Sequence, residues 1–177
     1  MTAENWFSAA EQSTAGLSRS REFKMKKIML NTNVFCRPFD DLANDSVKEE
    51  AKSAEKIFSL ARLEKLNIIS SDVLYEEVDL IEDKIKRESV YYLINAVEKE
   101  RISTDEKIVS LADSLHAIIK DYNDCLHIAF AAIGNCTSLI TCDYELINKE
   151  VKIERFLLSQ NIKLKIKTPS EFTADFD

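Results

Sequence analysis

Lys27-Ile28-Met29-Leu30-Asn31-Thr32-Asn33 sets three apolar side chains directly before three small polar ones. A run this short, with no polar residue alternating through it, reads as a strand buried on both faces and ending in a polar loop. Strands of that kind belong to parallel sheets, which are covered by helices on both sides. The following residues supply both. After Ser46, apolar residues Val47, Ala51, Ala54, Ile57, Phe58 and Ala61 recur near the helical period. Leu66-Asn67-Ile68-Ile69 reads as a second strand, and Ser70-Ser71-Asp72 supplies N-cap chemistry for a helix carrying Val73, Leu74, Val78 and Ile81. A helix over 87–100 follows, then one capped by Asp105 with Ile108, Leu111, Ala112, Leu115 and Ile119 as its stripe.

Asp124 is expected to open and cap the next helix, which runs through Cys125-Leu126-His127-Ile128-Ala129-Phe130-Ala131-Ala132. That helix is apolar nearly all round and therefore central. A third strand over 137–141, a polar helix over 149–159 and a last strand over 162–166 complete the pattern. Short apolar strands alternating with longer helices predict an α/β fold, a three-layer α/β/α sandwich with a central, mainly parallel sheet. One domain spans 25–177. Residues 1–24 are small, polar and aperiodic, and are expected to form a flexible extension.

Composition removes several chemistries. The chain of 177 residues has two glycines, Gly16 and Gly134, so neither a P-loop nor a dinucleotide-binding turn nor a nucleophile elbow can be written. Two histidines, His116 and His127, are too few for a His-rich zinc site. The four cysteines, Cys36, Cys125, Cys136 and Cys142, form no C-x-x-C pair and are expected to be reduced thiols of a cytoplasmic protein. No apolar run is long enough to span a membrane. A net charge of −7 disfavours loose binding of nucleic acid over the whole surface. Carboxylates are left as the chemical resource.

In an open parallel sheet, ligands collect beyond the carboxyl ends of the strands, near the point where strand order reverses. Asn31 follows the first strand and Asp143 the third, while Asp124 opens the helix leading into that third strand. Glu77 lies on the helix after the second strand, with Glu76 as the alternative about 100° around it. Carboxylates gathered near 4 Å repel by about 4 kcal/mol per pair at an effective dielectric near 20. Such a cluster calls for a cation or a retained proton. Mg²⁺ or Mn²⁺ held by oxygen ligands is the usual partner, and suits phosphodiester cleavage.

At these residues a resemblance emerges. Ile28-Met29-Leu30-Asn31-Thr32-Asn33-Val34-Phe35 resembles the first motif of PIN-domain proteins, which reads hydrophobic-Asp-Thr-Asn-Val-Phe. Ser70-Ser71-Asp72-Val73-Leu74-Tyr75-Glu76-Glu77-Val78 resembles the second, whose acid precedes an aliphatic residue and so favours Glu77. Asp124-Cys125-Leu126-His127-Ile128-Ala129 is similar to Asp-Ala-Leu-His-hydrophobic-Ala, and Thr141-Cys142-Asp143 to Thr-x-Asp. The motifs stand in order and cover about 25–172. PIN domains are metal-dependent ribonucleases, and the VapC-type toxins among them are restrained by an antitoxin. The resemblance implies an endonuclease acting on single-stranded RNA, with Asn31, Glu77, Asp124 and Asp143 as catalytic and metal-binding positions for Mg²⁺ or Mn²⁺. It implies supporting roles for Thr32 and Thr141, with Asn33 beside them, an antitoxin protein as a partner, and a homodimer. Position 31 departs from the family pattern: asparagine offers a neutral oxygen where the family carries an anionic one. Impaired activity is the expectation.

Plainer expectations accompany these. His127 is expected to be a buried, hydrogen-bonded core residue, His116 a surface or filler residue, and Asp40-Asp41 solvent-facing. Asn33 and Arg37 divide evenly between lining the site and shaping the loop. Lys163, Lys165 and Lys167 share one face of the last strand, which protects a sheet edge. Two other functions compete: a PIN fold that binds RNA or protein without cutting, and a haloacid-dehalogenase-like phosphatase, whose two required aspartates would both be asparagines here.

Overall fold

The computed structural model describes residues 25–176, so the extension expected over 1–24 lies outside the described residues. The first half contains β1 (Lys26–Leu30), α1 (Thr32–Cys36), a 3-10 turn (Arg37–Phe39), α2 (Asp45–Arg62), β2 (Leu66–Ser71), α3 (Asp72–Asp79) and α4 (Lys84–Val97). The second contains β3 (Glu98–Ile102), α5 (Glu106–Leu115), α6 (Tyr122–Ile133), β4 (Ser138–Ile140), α7 (Tyr144–Asn148), α8 (Glu150–Ser159), β5 (Lys165–Lys167) and α9 (Pro169–Ala174). The strands form one five-stranded sheet in the order β3-β2-β1-β4-β5, and every pairing is parallel. The three-layer α/β/α expectation holds.

Alternation along the strands divides the core. Ile28, Leu30, Ile68 and Ile140 face one side, against α1 to α4 and Phe172 of α9. Met29, Ile69 and Leu139 face the other, against α5 to α8. On the first side Phe35 and Phe58 stack with centroids 5.4 Å apart, seating α1 on α2. On the second, α6 is buried from His127 to Ala132, the central position its all-round apolar sequence requires.

Several elements differ from expectation. The helix expected over 87–100 starts earlier and ends at Val97, and Glu98-Lys99-Glu100-Arg101-Ile102 forms edge strand β3. Only half of an edge strand is covered, so a polar sequence is tolerated there and no apolar run marks it. Asn31-Thr32-Asn33, read as a loop, instead begins a helix: Asn31 is the N-cap of α1. Asp124 is not a cap. Asp121 caps α6, and Asp124 lies in its first turn. The short helices α7 and α9 were not expected, and β5 begins at Lys165 rather than 162.

Asp40 is half-buried between Arg37 (2.9 Å) and Lys86 (2.6 Å) rather than solvent-facing, whereas Asp41 is exposed as expected. On edge strand β5, Lys165 and Lys167 are engaged with Glu154 and Asp175. Cys36, Cys125, Cys136 and Cys142 are free thiols. Among the described residues no helix is long and apolar enough to cross a membrane.

Gly134 ends α6 against the edge strand. A Cβ there would sit 2.5 Å from Ile102 Cδ1 and 2.9 Å from the Phe130 carbonyl oxygen, so close approach requires the glycine. Gly134→Ala should lower stability by about 1–3 kcal/mol, read as a reduced urea midpoint. An unchanged midpoint would mean that Ile102 yields without cost.

Candidate active site

Strand order reverses between β1 and β4, since the chain proceeds outward from β1 through β2 to β3 and then returns to the opposite side of β1. The crevice beyond their carboxyl ends is the switch point of the sheet. Asn31 leaves β1 there, its backbone N–H donating to the Ile140 carbonyl at 2.9 Å, and Thr141-Cys142-Asp143 leave β4 beside it.

Three consecutive side chains then reach three different segments. Asn31, buried, accepts the Asn33 backbone N–H on Oδ1 (3.3 Å) and directs Nδ2 toward Asp124 Oδ1 of α6 (3.4 Å). Thr32 donates its hydroxyl to Glu77 Oε2 of α3. Asn33 donates from Nδ2 to Thr141 Oγ1 (3.2 Å) and accepts the Cys142 backbone N–H (2.9 Å). Thr141 Oγ1 in turn accepts the Asp143 backbone N–H at 3.0 Å, which orients the start of α7. Asn33 therefore supports the site rather than only shaping the loop. Arg37 shapes the loop: it braces the 3-10 turn to α2 through Glu50 at 2.7 Å.

The three acids lie in different environments. Glu77 accepts His127 Nε2 (2.9 Å) as well as Thr32, and its other oxygen accepts Asn123 Nδ2 at 3.1 Å. Because an ionised carboxylate only accepts, His127 carries its proton on Nε2. Burial alone would raise the Glu77 carboxyl, but the bonds from His127, Thr32 and Asn123 outweigh it and hold the group below the ordinary range. Glu76, by contrast, is exposed. Burial pushes the Asp124 carboxyl up to about 6, helped by the negative charges of Asp143 and Asp121. Asp143 is half-buried and caps α7 by accepting the Glu145 backbone N–H at 2.7 Å.

The site thus gathers Asn31, Glu77, Asp124 and Asp143 with Thr32, Asn33 and Thr141, and adds residues that the motifs did not single out. Asn123 helps hold Glu77, and the Tyr-Asn-Asp step after Asp121 marks its turn only in hindsight. His127 is fully buried, as expected for a core histidine, and it also touches the site. His116 is exposed. The donor set suits a hard cation in part. Asp124 and Asp143 offer carboxyl oxygens, but Glu77 already accepts three hydrogen bonds and Asn31 turns N–H groups, not oxygen, toward Asp124. Among the described residues, no three His, Cys, Asp or Glu side chains are grouped closely enough to form a metal cage. Two shallow depressions flank α5, and neither reaches these residues.

Two outcomes follow from the electrostatics. The raised Asp124 carboxyl means that folding favours its protonated form: the penalty is absent below about pH 3.8, grows as pH rises and is complete above about 6. Asp124→Asn should therefore stabilise the chelator-treated protein at pH 7 by about 1 kcal/mol, allowing for partial solvent screening. The gain should vanish below pH 4, and thermal unfolding across that range checks it. Glu77→Ala leaves His127, Thr32 and Asn123 without their acceptor and should cost about 2 kcal/mol at pH 7. Because the Glu77 carboxyl is depressed, that cost should shrink as pH falls below 4.5. Denaturant titration at two pH values measures both.

No protein-family model matches this chain, and no curated protein matches it at a significant level.

Proposed function

We propose that this chain is a PIN-type, metal-dependent endonuclease for single-stranded RNA, with its activity held low by Asn31. The observation that supports this most directly is the convergence of Asn31, Thr32 and Asn33 on Asp124, Glu77 and Thr141 at the switch point of a parallel sheet. Four segments far apart in sequence are joined there by hydrogen bonds.

Asp124 and Asp143 would hold Mg²⁺ or Mn²⁺, and such an ion would offset both the burial that chiefly raises the Asp124 carboxyl and the repulsion from Asp143 that adds to it. When bound, it supplies charge to a phosphate oxygen and a more acidic water. The chain's own residues do the rest. Thr32, His127 and Asn123 keep Glu77 anionic and fixed, and Asn33 with Thr141 sets the backbone that carries Asp143. A toxin role with an antitoxin partner, a homodimer and a cytoplasmic location belong to the same proposal.

The same Asn31 favours a second reading, an RNA- or protein-binding PIN fold without cleavage. Its Nδ2 supplies Asp124 with the positive partner that an ion would otherwise provide. The phosphatase reading loses ground, because Asn33 at its second aspartate position is committed to Thr141 and Cys142.

Asn31→Asp separates the alternatives. The new carboxylate oxygen would stand about 3.4 Å from Asp124 Oδ1, a repulsion of the order of 4 kcal/mol before relaxation. In chelator the variant should melt below the parent by about 5 °C or more, and Mn²⁺ should restore it while raising the parent little. Cleavage of single-stranded RNA should appear or increase with Mn²⁺. Equal melting responses and no cleavage with any divalent metal would overturn the nuclease proposal.

A further inference from the structure

We infer that Tyr144 is a preorganised stacking platform for a base of a single-stranded nucleic acid bound at the Asp124–Asp143 site. The inference rests on the nuclease proposal and adds to it the residue that grips the substrate. Tyr144 directly follows Asp143 and opens α7, and it is 57% exposed. Exposure alone means little for a tyrosine. Here the hydroxyl is tied down, donating to Glu50 Oε1 at 3.0 Å with Ser46 Oγ 3.4 Å away.

Glu50 is an unusual anchor. It is a helix glutamate only 6% exposed, paired with Arg37 at 2.7 Å, and Arg37 is paired in turn with Asp40, which holds Lys86. The ring is thus held by its tip from a half-buried ionic network that joins α2, the 3-10 turn and α4, and its body is left open to solvent. A fixed aromatic face loses little freedom when a base stacks on it.

The electrostatics of the rim point the same way. Asp121, Asp124, Asp143 and Glu145 line this end of the sheet, Lys149 is engaged with Glu145, and Arg37 with Asp40 and Glu50. A rim of this sign gives phosphates little attraction. Beyond what a bound ion would supply, affinity must therefore come from the bases, and only an unpaired strand presents their faces. Tyr122 provides the contrast. It is two positions from Asp124 on α6, about 200° around the helix. Its hydroxyl donates to Asp113 and its ring packs edge-on against His116, so it faces α5 rather than the site.

The test measures binding of the parent protein, in Mg²⁺, to a labelled oligouridylate and to the same backbone lacking bases. The parent should prefer the oligouridylate by about tenfold or more. Tyr144→Ala should abolish that preference, Tyr144→Phe, which keeps the ring and loses its anchor, should keep only part of it, and Tyr122→Ala should keep all of it. Thermal unfolding of each variant confirms that the fold survives. A preference that persists in Tyr144→Ala, or that is absent from the parent, overturns the inference. If Asn31→Asp cleaves RNA with a KM unaffected by Tyr144→Ala, stacking is wrong and the nuclease proposal stands. If the parent binds neither oligonucleotide and Asn31→Asp does not cleave, both fall.

Discussion

One polar triplet holds the carboxyl end of the sheet together. Asn31, Thr32 and Asn33 are consecutive, yet their side chains bond α6, α3 and the turn after β4 respectively. A helix turn separates successive side chains by about 100°, so three neighbours at its start aim in three directions. That is why the segment is helical rather than a loop: an extended chain would send Asn31 and Asn33 to the same side and Thr32 to the other. The two core layers bring β1, β2 and β4 alongside one another, and the triplet fixes how their ends face. All three bonds are partly buried, where leaving one partner unmade costs more than the bond itself contributes.

The acids around this triplet show how environment divides identical chemistry. Glu77 and Asp124 are both half-buried carboxyls, but their tendencies oppose each other. Glu77 has three donors and is driven toward the anion, while Asp124 has one amide and two acidic neighbours and is driven toward the acid. The difference follows from positions on helices. Glu77 looks across at His127 and Asn123 from α6, whereas Asp124 on that same helix looks toward the turn after β4, where Asp143 stands. A single site therefore contains one carboxylate that is fixed and one that is in need of positive charge.

How legible this was depended on burial. Ile28-Met29-Leu30 and Leu139-Ile140 were readable as strands because both faces are covered and no polar residue interrupts them. The polar edge strand β3 carries no such signal, since its stability comes from pairing with β2 rather than from its own side chains. Asp121 and Asp124 are equally good caps on sequence, and only the backbone settles that the first one caps. Asp40 looked like a loop acid because its partners, Arg37 and Lys86, meet only once α4 has packed. Asp143 follows β4 as expected, while Asp124 lies in the first turn of α6 rather than at its cap, and Glu77 lies toward the end of α3. The partners of these acids were not legible, because a bond such as Asn123 to Glu77 spans 46 positions and leaves no local pattern.

The pairing of β1 with β4 sets a further condition on the molecule's life. Asn33 and Cys142 are 109 positions apart, and the bond between them needs both strand ends in place. Contacts of such long range form late, after the local helices and the β1–β2 unit. During synthesis the Asn31–Asp124 and Asn33–Cys142 contacts therefore cannot assemble until the segment through Asp143 has emerged from the ribosome, so the proposed nuclease would have no site on a shorter nascent chain.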